Sequence, residues 1–234
     1  MKKSMKAASY LDYIKGMPHN LQMGQGVLAS IYARIFPINS GTFVEVGAYD
    51  GWSWSHTVCL AKLGWRGLYI EPIPAHAALC EETHKEHPDI TTVCCACGAT
   101  ERKTNLYIKD ATSSFVLNKA AAAFGVSKDI KMEVQIRVLN DILVEQVVDV
   151  IDVLVIDVEG FEIEVLNGFD IAKYKPRLAI IETHELSGAP FLNDEGVNET
   201  SVFCDAYFTK AGYVKIFADD GNTFYAKNVE GCAL

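Results

Sequence analysis

The chain has 234 residues, half of them hydrophobic, and a formal net charge of −9. That is enough apolar material for a substantial core, and too much for a disordered polymer. The charge disfavours a nucleic-acid or anionic-membrane surface, and no apolar run approaches the ~20 residues a spanning helix needs. The basic start Met1-Lys2-Lys3 leads into no signal-peptide core, and the seven cysteines are an odd number. Both features point to a cytoplasmic protein with reduced thiols, and neither fixes an oligomeric state.

In chain order, helices are predicted over Ala7–Lys15 and about Gln25–Phe36, with a break at Gly16–Asn20. Thr42–Val46 reads as a buried strand running into Gly47-Ala48-Tyr49-Asp50-Gly51, and Trp52–Leu63 as a helix stopped by Gly64. Strand, glycine turn and helix form the arrangement in which open α/β sheets bind cofactors at a strand's carboxyl end. Gly47 and Gly51 can take φ > 0 and admit a ligand close to the backbone. The pattern is Glu-x-Gly-x-x-x-Gly, without the third glycine of a dinucleotide site or the lysine of a P-loop. The next strand, Gly67–Ile70, ends in Glu71, where an acid can accept from ribose hydroxyls. With no cradle for a pyrophosphate, an adenosine ligand carrying a carboxylate fits better, which is S-adenosylmethionine.

A helix over Ala75–His87 follows, with Pro74 in its first turn, then a strand over Ile90–Cys95. Leu106–Ile108 and Glu133–Leu139 alternate as an antiparallel pair would, with a short helix at Ala120–Phe124 between them. Asp152–Asp157 and Leu178–Thr183 are buried strands, and a helix is predicted from Thr200 to Lys210. Tyr213–Phe217 and Thr223–Lys227 make a hairpin around Asp219-Asp220-Gly221-Asn222. The expected fold is α/β: a doubly wound, mostly parallel sheet with one antiparallel strand near the C-terminus.

Two pairings of metal-ligand residues have blander readings. Cys94-Cys95-Ala96-Cys97 lacks a second pair to complete a zinc site and reads as small residues at a strand end. Cys80, His84 and His87 share a helix face but are surrounded by charged residues, which suggests a solvated helix. The acidic run Asp157-Val158-Glu159-Gly160-Phe161-Glu162 ends the strand expected beside the first. Glu159 and Glu162 could simply favour a helix's first turn, by ~0.3–1 kcal/mol. Asp157 ends an apolar strand at the cleft, and Glu182-Thr183-His184 would reach the same rim.

These motifs together resemble the FkbM-type methyltransferase family from about Leu21 to Phe224. The resemblance is carried by Phe43-Val44-Glu45-Val46-Gly47-Ala48-Tyr49-Asp50-Gly51, Ile70-Glu71-Pro72, Ala96-Cys97-Gly98 and, most specifically, the Asp-Val-Glu-Gly-x-Glu run at 157–162. Leu21-Gln22-Met23-Gly24-Gln25-Gly26 is similar to the family's Ser-Gln-x-Gly-Gln-Asp loop, with Leu21 and Gly26 departing from it. Ala111-Thr112-Ser113-Ser114 resembles its serine pair. The family implies a Rossmann-like, class I methyltransferase fold, here a single domain over 1–234 with an N-terminal helical segment at 1–40 and a core at 41–234. It also implies S-adenosyl-L-methionine bound by Gln22, Glu45, Gly47, Glu71, Cys97 and Asp157, and O-methylation of a sugar or small metabolite.

For hydroxyl methylation a base must reach the acceptor oxygen. His184 is the expected base, with Glu159 and Glu182 orienting it or the substrate, and neighbouring acids are expected to raise its pKa. No obligatory metal is expected. The rival readings are a non-catalytic cofactor-binding or scaffold protein on the same fold, and a nicotinamide-dependent oxidoreductase.

Overall fold

The computed structural model describes residues 19–36, 40–109, 111–116, 119–123 and 125–227. The helix expected over Ala7–Lys15 lies outside them. The first described helix, α1 (His19–Ile35), buries Leu28, Ile31, Tyr32 and Ile35, the spacing of one helix face. Residues 21–26 lie inside α1 instead of forming the loop the sequence suggested.

Strand β1 (Thr42–Val46) is followed by α2 (Val58–Lys62), β2 (Arg66–Ile70), α3 (Pro74–His84) and β3 (Ile90–Val93). Then come β4 (Ala96–Gly98), β5 (Arg102–Tyr107), α4 (Lys119–Ala123), β6 (Lys131–Val138) and α5 (Leu139–Glu145). The second half contains β7 (Val153–Ile156), α6 (Glu162–Asn167), α7 (Ile171–Tyr174), β8 (Leu178–Glu182), α8 (Glu199–Lys210), β9 (Tyr213–Ala218) and β10 (Asn222–Lys227). The main sheet has the order β3-β2-β1-β7-β8-β10-β9. All its pairings are parallel except those of β10, which runs antiparallel to both β8 and β9. One reversed strand near the C-terminus is what the hairpin motif implied.

Both faces of this sheet are covered, so its strands read as continuous apolar runs. Leu154 and Ile156 of β7 face a cluster with helices α5, α6 and α8, through Ile142, Leu143, Val165 and Phe208. Val153 and Val155 face the other cluster, with Tyr32 of α1, Leu60 of α2 and Cys80 of α3. A second sheet, β4-β6-β5, pairs β5 with β6 antiparallel, Leu106 opposite Met132. Its inner residues Ala96, Leu106, Val134 and Ile136 pack with Ile73 and Phe161. Among the described residues no helix is long and apolar enough to cross a membrane.

Two local expectations fail. The helix expected from Trp52 begins only at Val58. Upstream, the buried Glu45 carboxylate accepts from Ser55 Oγ at 2.8 Å, the His56 amide at 3.0 Å and the Thr57 hydroxyl, which holds the chain in an irregular loop. Trp54, at φ 63°, is left-handed there. The solvated reading of α3 also fails: Cys80 and His84 are buried, and His84 Nε2 lies 2.8 Å from the Gly51 carbonyl oxygen. That contact secures the glycine turn from behind.

The turn depends on Gly47. It sits at φ 89°, and a Cβ there would lie 1.7 Å from the Asp157 carbonyl oxygen. Gly47→Ala should therefore destabilise the protein by more than about 1 kcal/mol, because left-handed strain and a backbone clash add. The midpoint of chemical denaturation measures this.

Candidate functional site

The glycine turn, the end of β2 and the end of β7 meet over the sheet at a cavity of about 420 Å³. The parallel register puts Val46 beside Ile70 on one side and Ile156 on the other, so Gly47, Glu71 and Asp157 follow their strands to one rim. All three line this cavity, together with Tyr49, Ile73, Cys97 and Phe161. Glu71 is buried; its carboxylate accepts from the Tyr49 amide at 3.0 Å and the Ile73 amide at 2.9 Å. Burial pushes its pKa up to about 7 against those two hydrogen bonds.

Glu45 also borders the cavity, but its two oxygens are engaged by residues 55–57, and burial raises its pKa. It shapes the site by fixing that loop. Cys97 is buried in β4, and Gln22 lies in α1 with its side chain outside the described part of the structure. Asp157 is half-buried, and desolvation pushes its pKa up to about 6.

A second cavity of about 390 Å³ opens beside the first, bounded by the segment from Pro190 to Thr200. Thr112, Glu159, Glu182 and His184 line both, so they form the wall between them. Glu182, at the end of β8, organises this wall. One oxygen lies 2.8 Å from His184 Nε2, and the other accepts from the Glu159 amide at 2.9 Å. β8 ends before His184, yet the pair meets because His184 adopts φ 50°. Its ring stacks on Phe191 at 3.8 Å between centroids.

Glu159, at φ 56°, stands outside α6; its carbonyl accepts from Ser114 Oγ at 2.6 Å. Glu162 occupies the first turn of α6 and accepts from the Val158 and Gly160 amides at 3.2 and 3.0 Å, so it is structural. Tyr49, Trp54, Glu159 and His184, all cavity-lining, are four of the six non-glycine residues with positive φ among the described residues. Such backbone is held in place by its surroundings and clusters at working sites.

Charge in this wall follows burial. Desolvation, with Asp157 and Glu162 adding like charge, pushes Glu159 up to about 8, and Glu182 lies well above the carboxylate range. The His184 pKa is lowered, mainly by burial, where the sequence suggested it would be raised. The acids expected to favour its charged form are themselves held toward neutrality.

Sequence reasoning missed Asn198, whose side-chain amide donates to the Thr183 and His184 carbonyls at 2.8 and 3.2 Å while its oxygen caps α8 at the Ser201 amide. The visible signal was an Asn at the start of a helix. Thr112 lay in the run that resembles the family's serine pair, and Phe191 carried no signal.

No described residue lining the first cavity is a lysine or arginine. An acid beside a ribose-sized space without a phosphate cradle fits S-adenosylmethionine, which Glu71, Gly47 and Asp157 would hold. Residues 45–215 match the family described as "Methyltransferase FkbM domain", and the chain belongs to that family. It is an S-adenosylmethionine-dependent methyltransferase.

Among solved structures the chain is similar to precorrin-6y C5,15-methyltransferase from Geobacter metallireducens, at 11% identity over 91% of this chain and 94% of that one, with a TM-score of 0.48. Aeropyrum pernix fibrillarin with natively bound S-adenosyl-L-methionine is 12% identical over 86% and 73%, with a TM-score of 0.44. Magnesium protoporphyrin IX methyltransferase from Synechocystis PCC 6803, with bound cofactor, is 10% identical over 94% and 90%, with a TM-score of 0.41. No curated protein matches the chain.

Glu71→Ala should weaken S-adenosylmethionine binding by about 1.5–3 kcal/mol, read by calorimetry, because it removes a charge-assisted acceptor. Glu71 also makes stability depend on pH. Its folded pKa of about 7 exceeds the unfolded value of 4.5, so its contribution is complete below 4.5 and lost as pH rises through 7. The melting temperature of the wild type should fall more between pH 5 and pH 8 than that of Glu71→Gln.

Proposed function

We propose that the protein transfers the methyl group to a hydroxyl oxygen of a sugar or small metabolite held in the second cavity. The observation that carries this reading is the shared wall: Thr112, Glu159, Glu182 and His184 each border both cavities, so an acceptor in one adjoins a cofactor in the other. The bound cofactor supplies an electrophilic methyl carbon on a sulfonium sulfur. The chain's task is then to hold the nucleophile close and aligned, and to help a weakly acidic hydroxyl lose its proton.

The second cavity suits a hydroxylated acceptor. Its lining includes Glu159, Glu162, Glu182, Asp194 and Glu199 and no lysine or arginine among the described residues. Carboxylates and carbonyls accept from hydroxyl donors, whereas a phosphorylated or carboxylated acceptor would be repelled. Glu159, Glu182 and His184 are the groups we assign to positioning the hydroxyl and promoting loss of its proton. Glu182 orients the imidazole through the 2.8 Å contact, and Phe191 fixes the ring plane. The oxidoreductase reading loses support because no described residue lining either cavity is a lysine or arginine that could hold a pyrophosphate.

Methyl-labelled S-adenosylmethionine, offered with a panel of sugars and other polyhydroxylated metabolites, tests this reading, with the ether product identified by mass spectrometry. His184→Ala should lower turnover ~10²–10⁴-fold and leave cofactor affinity unchanged. Label found only on nitrogen acceptors overturns hydroxyl methylation. Near-normal turnover in His184→Ala removes the imidazole from the chemistry, and weakened cofactor binding alone makes it structural.

A further inference from the structure

We propose that Glu159, Glu182 and His184 bind a divalent metal cation in the wall between the two cavities. Binding stands on the geometry alone; its use in methyl transfer rests on the function proposed above. Each residue offers one ligand atom, and these atoms all lie within 4.8 Å of one another. Neighbouring ligands around an ion with bonds of about 2.1 Å sit about 3 Å apart. The 2.8 Å between Glu182 Oε1 and His184 Nε2 already has that spacing. Glu159 completes the set from the opposite loop, and its carboxylate has no hydrogen-bond donor among the described residues, so it is free to turn inward.

The backbone supports the same conclusion. The Glu159 amide donates to Glu182 Oε2 at 2.9 Å, fixing the loop after β7 against the end of β8. Left-handed backbone at Glu159 and His184 turns both side chains toward that junction. Two carboxylates and an imidazole are gathered here, and no described residue lining either cavity is a lysine or arginine. A cation would offset the charge of the two carboxylates beside the imidazole as they ionise.

The sequence grouped these three residues as a base and its orienting acids, and the spacing of metal ligands appears only once the strands are paired. A mixed set of one imidazole nitrogen and two carboxylate oxygens suits Mn²⁺, Fe²⁺, Co²⁺ or Zn²⁺ better than Ca²⁺. Three protein ligands leave further positions facing the cavities, where an acceptor hydroxyl can coordinate and become more acidic. The imidazole lone pair is then committed to the ion, and the hydroxyl's proton leaves to solvent through the second cavity.

Mn²⁺ alone is the probe. Chelator-treated wild-type protein, titrated with Mn²⁺ and followed by the paramagnetic resonance of the free ion, should take up about one ion per chain. Glu159→Gln, which breaks no hydrogen bond among the described residues, should weaken uptake at least about tenfold by removing a charged ligand. Circular dichroism and a cooperative thermal transition, measured without Mn²⁺, show that the variant is folded. Equal Mn²⁺ affinity in wild type and Glu159→Gln, or no uptake by wild type at millimolar Mn²⁺, overturns the site. If uptake fails while chelated wild type still methylates a hydroxyl, the cation inference alone falls. If Mn²⁺ binds as expected and only nitrogen acceptors are methylated, the cation site stands and the acceptor reading falls.

Discussion

The site depends on the parallel contact between β1 and β7. These strands come from opposite halves of the chain, and their pairing brings the glycine turn against the acidic run that follows Ile156. The approach is close enough that Gly47 has no room for a Cβ beside the Asp157 carbonyl. Helices leave this seam to opposite faces of the sheet, and the crevice at the strand ends is where a cofactor can lie. β8 pairs with the far edge of β7 and delivers Glu182 to the same rim. Strand order thus converts acids that are far apart in sequence into one wall.

A wall rich in buried carboxylates needs compensation, and most of these acids receive it locally. Glu45 is held by Ser55, the His56 amide and Thr57; Glu71 by the amides of Tyr49 and Ile73; Glu162 by those of Val158 and Gly160. Backbone and hydroxyl donors satisfy a carboxylate without supplying a full positive charge, so desolvation still raises the pKa values. Glu159 differs from the others. It receives no such donor among the described residues, stands at the boundary of two cavities, and is carried on left-handed backbone. The protein tolerates an uncompensated acid where a ligand can meet it, a pattern of working sites rather than of structural ones.

The places where sequence reading went astray share one cause. Trp52–Thr57 has an acceptable helical composition, yet Glu45, some ten residues earlier, takes the hydrogen bonds of Ser55, His56 and Thr57. Local propensity is a weak prior, and a buried acceptor outweighs it. Cys80 and His84 sit among charged neighbours, but the face they share is covered by the glycine turn and by Tyr69, on which His84 stacks at 4.7 Å. For His184, counting nearby acids gave the wrong direction of shift. Burial of the ring dominates, and the same burial holds those acids toward neutrality.

What the sequence determined by itself was the set of parts that are local. Apolar runs of strand length, glycines at the turn, an acid at the end of β2 and the hairpin at Asp219–Asn222 are each encoded within a few residues, because strand burial and turn geometry act at that range. The Asp-Val-Glu-Gly-x-Glu run likewise marked the end of β7 before any contact was known. Tertiary structure alone decided how Glu159, Glu182 and His184 meet. Their junction follows from a positive φ at Glu159 and His184, an amide bond across to Glu182 and the packing of Phe191 on the imidazole. Those interactions join segments that are neighbours only after the sheet has formed, and no spacing along the chain contains them.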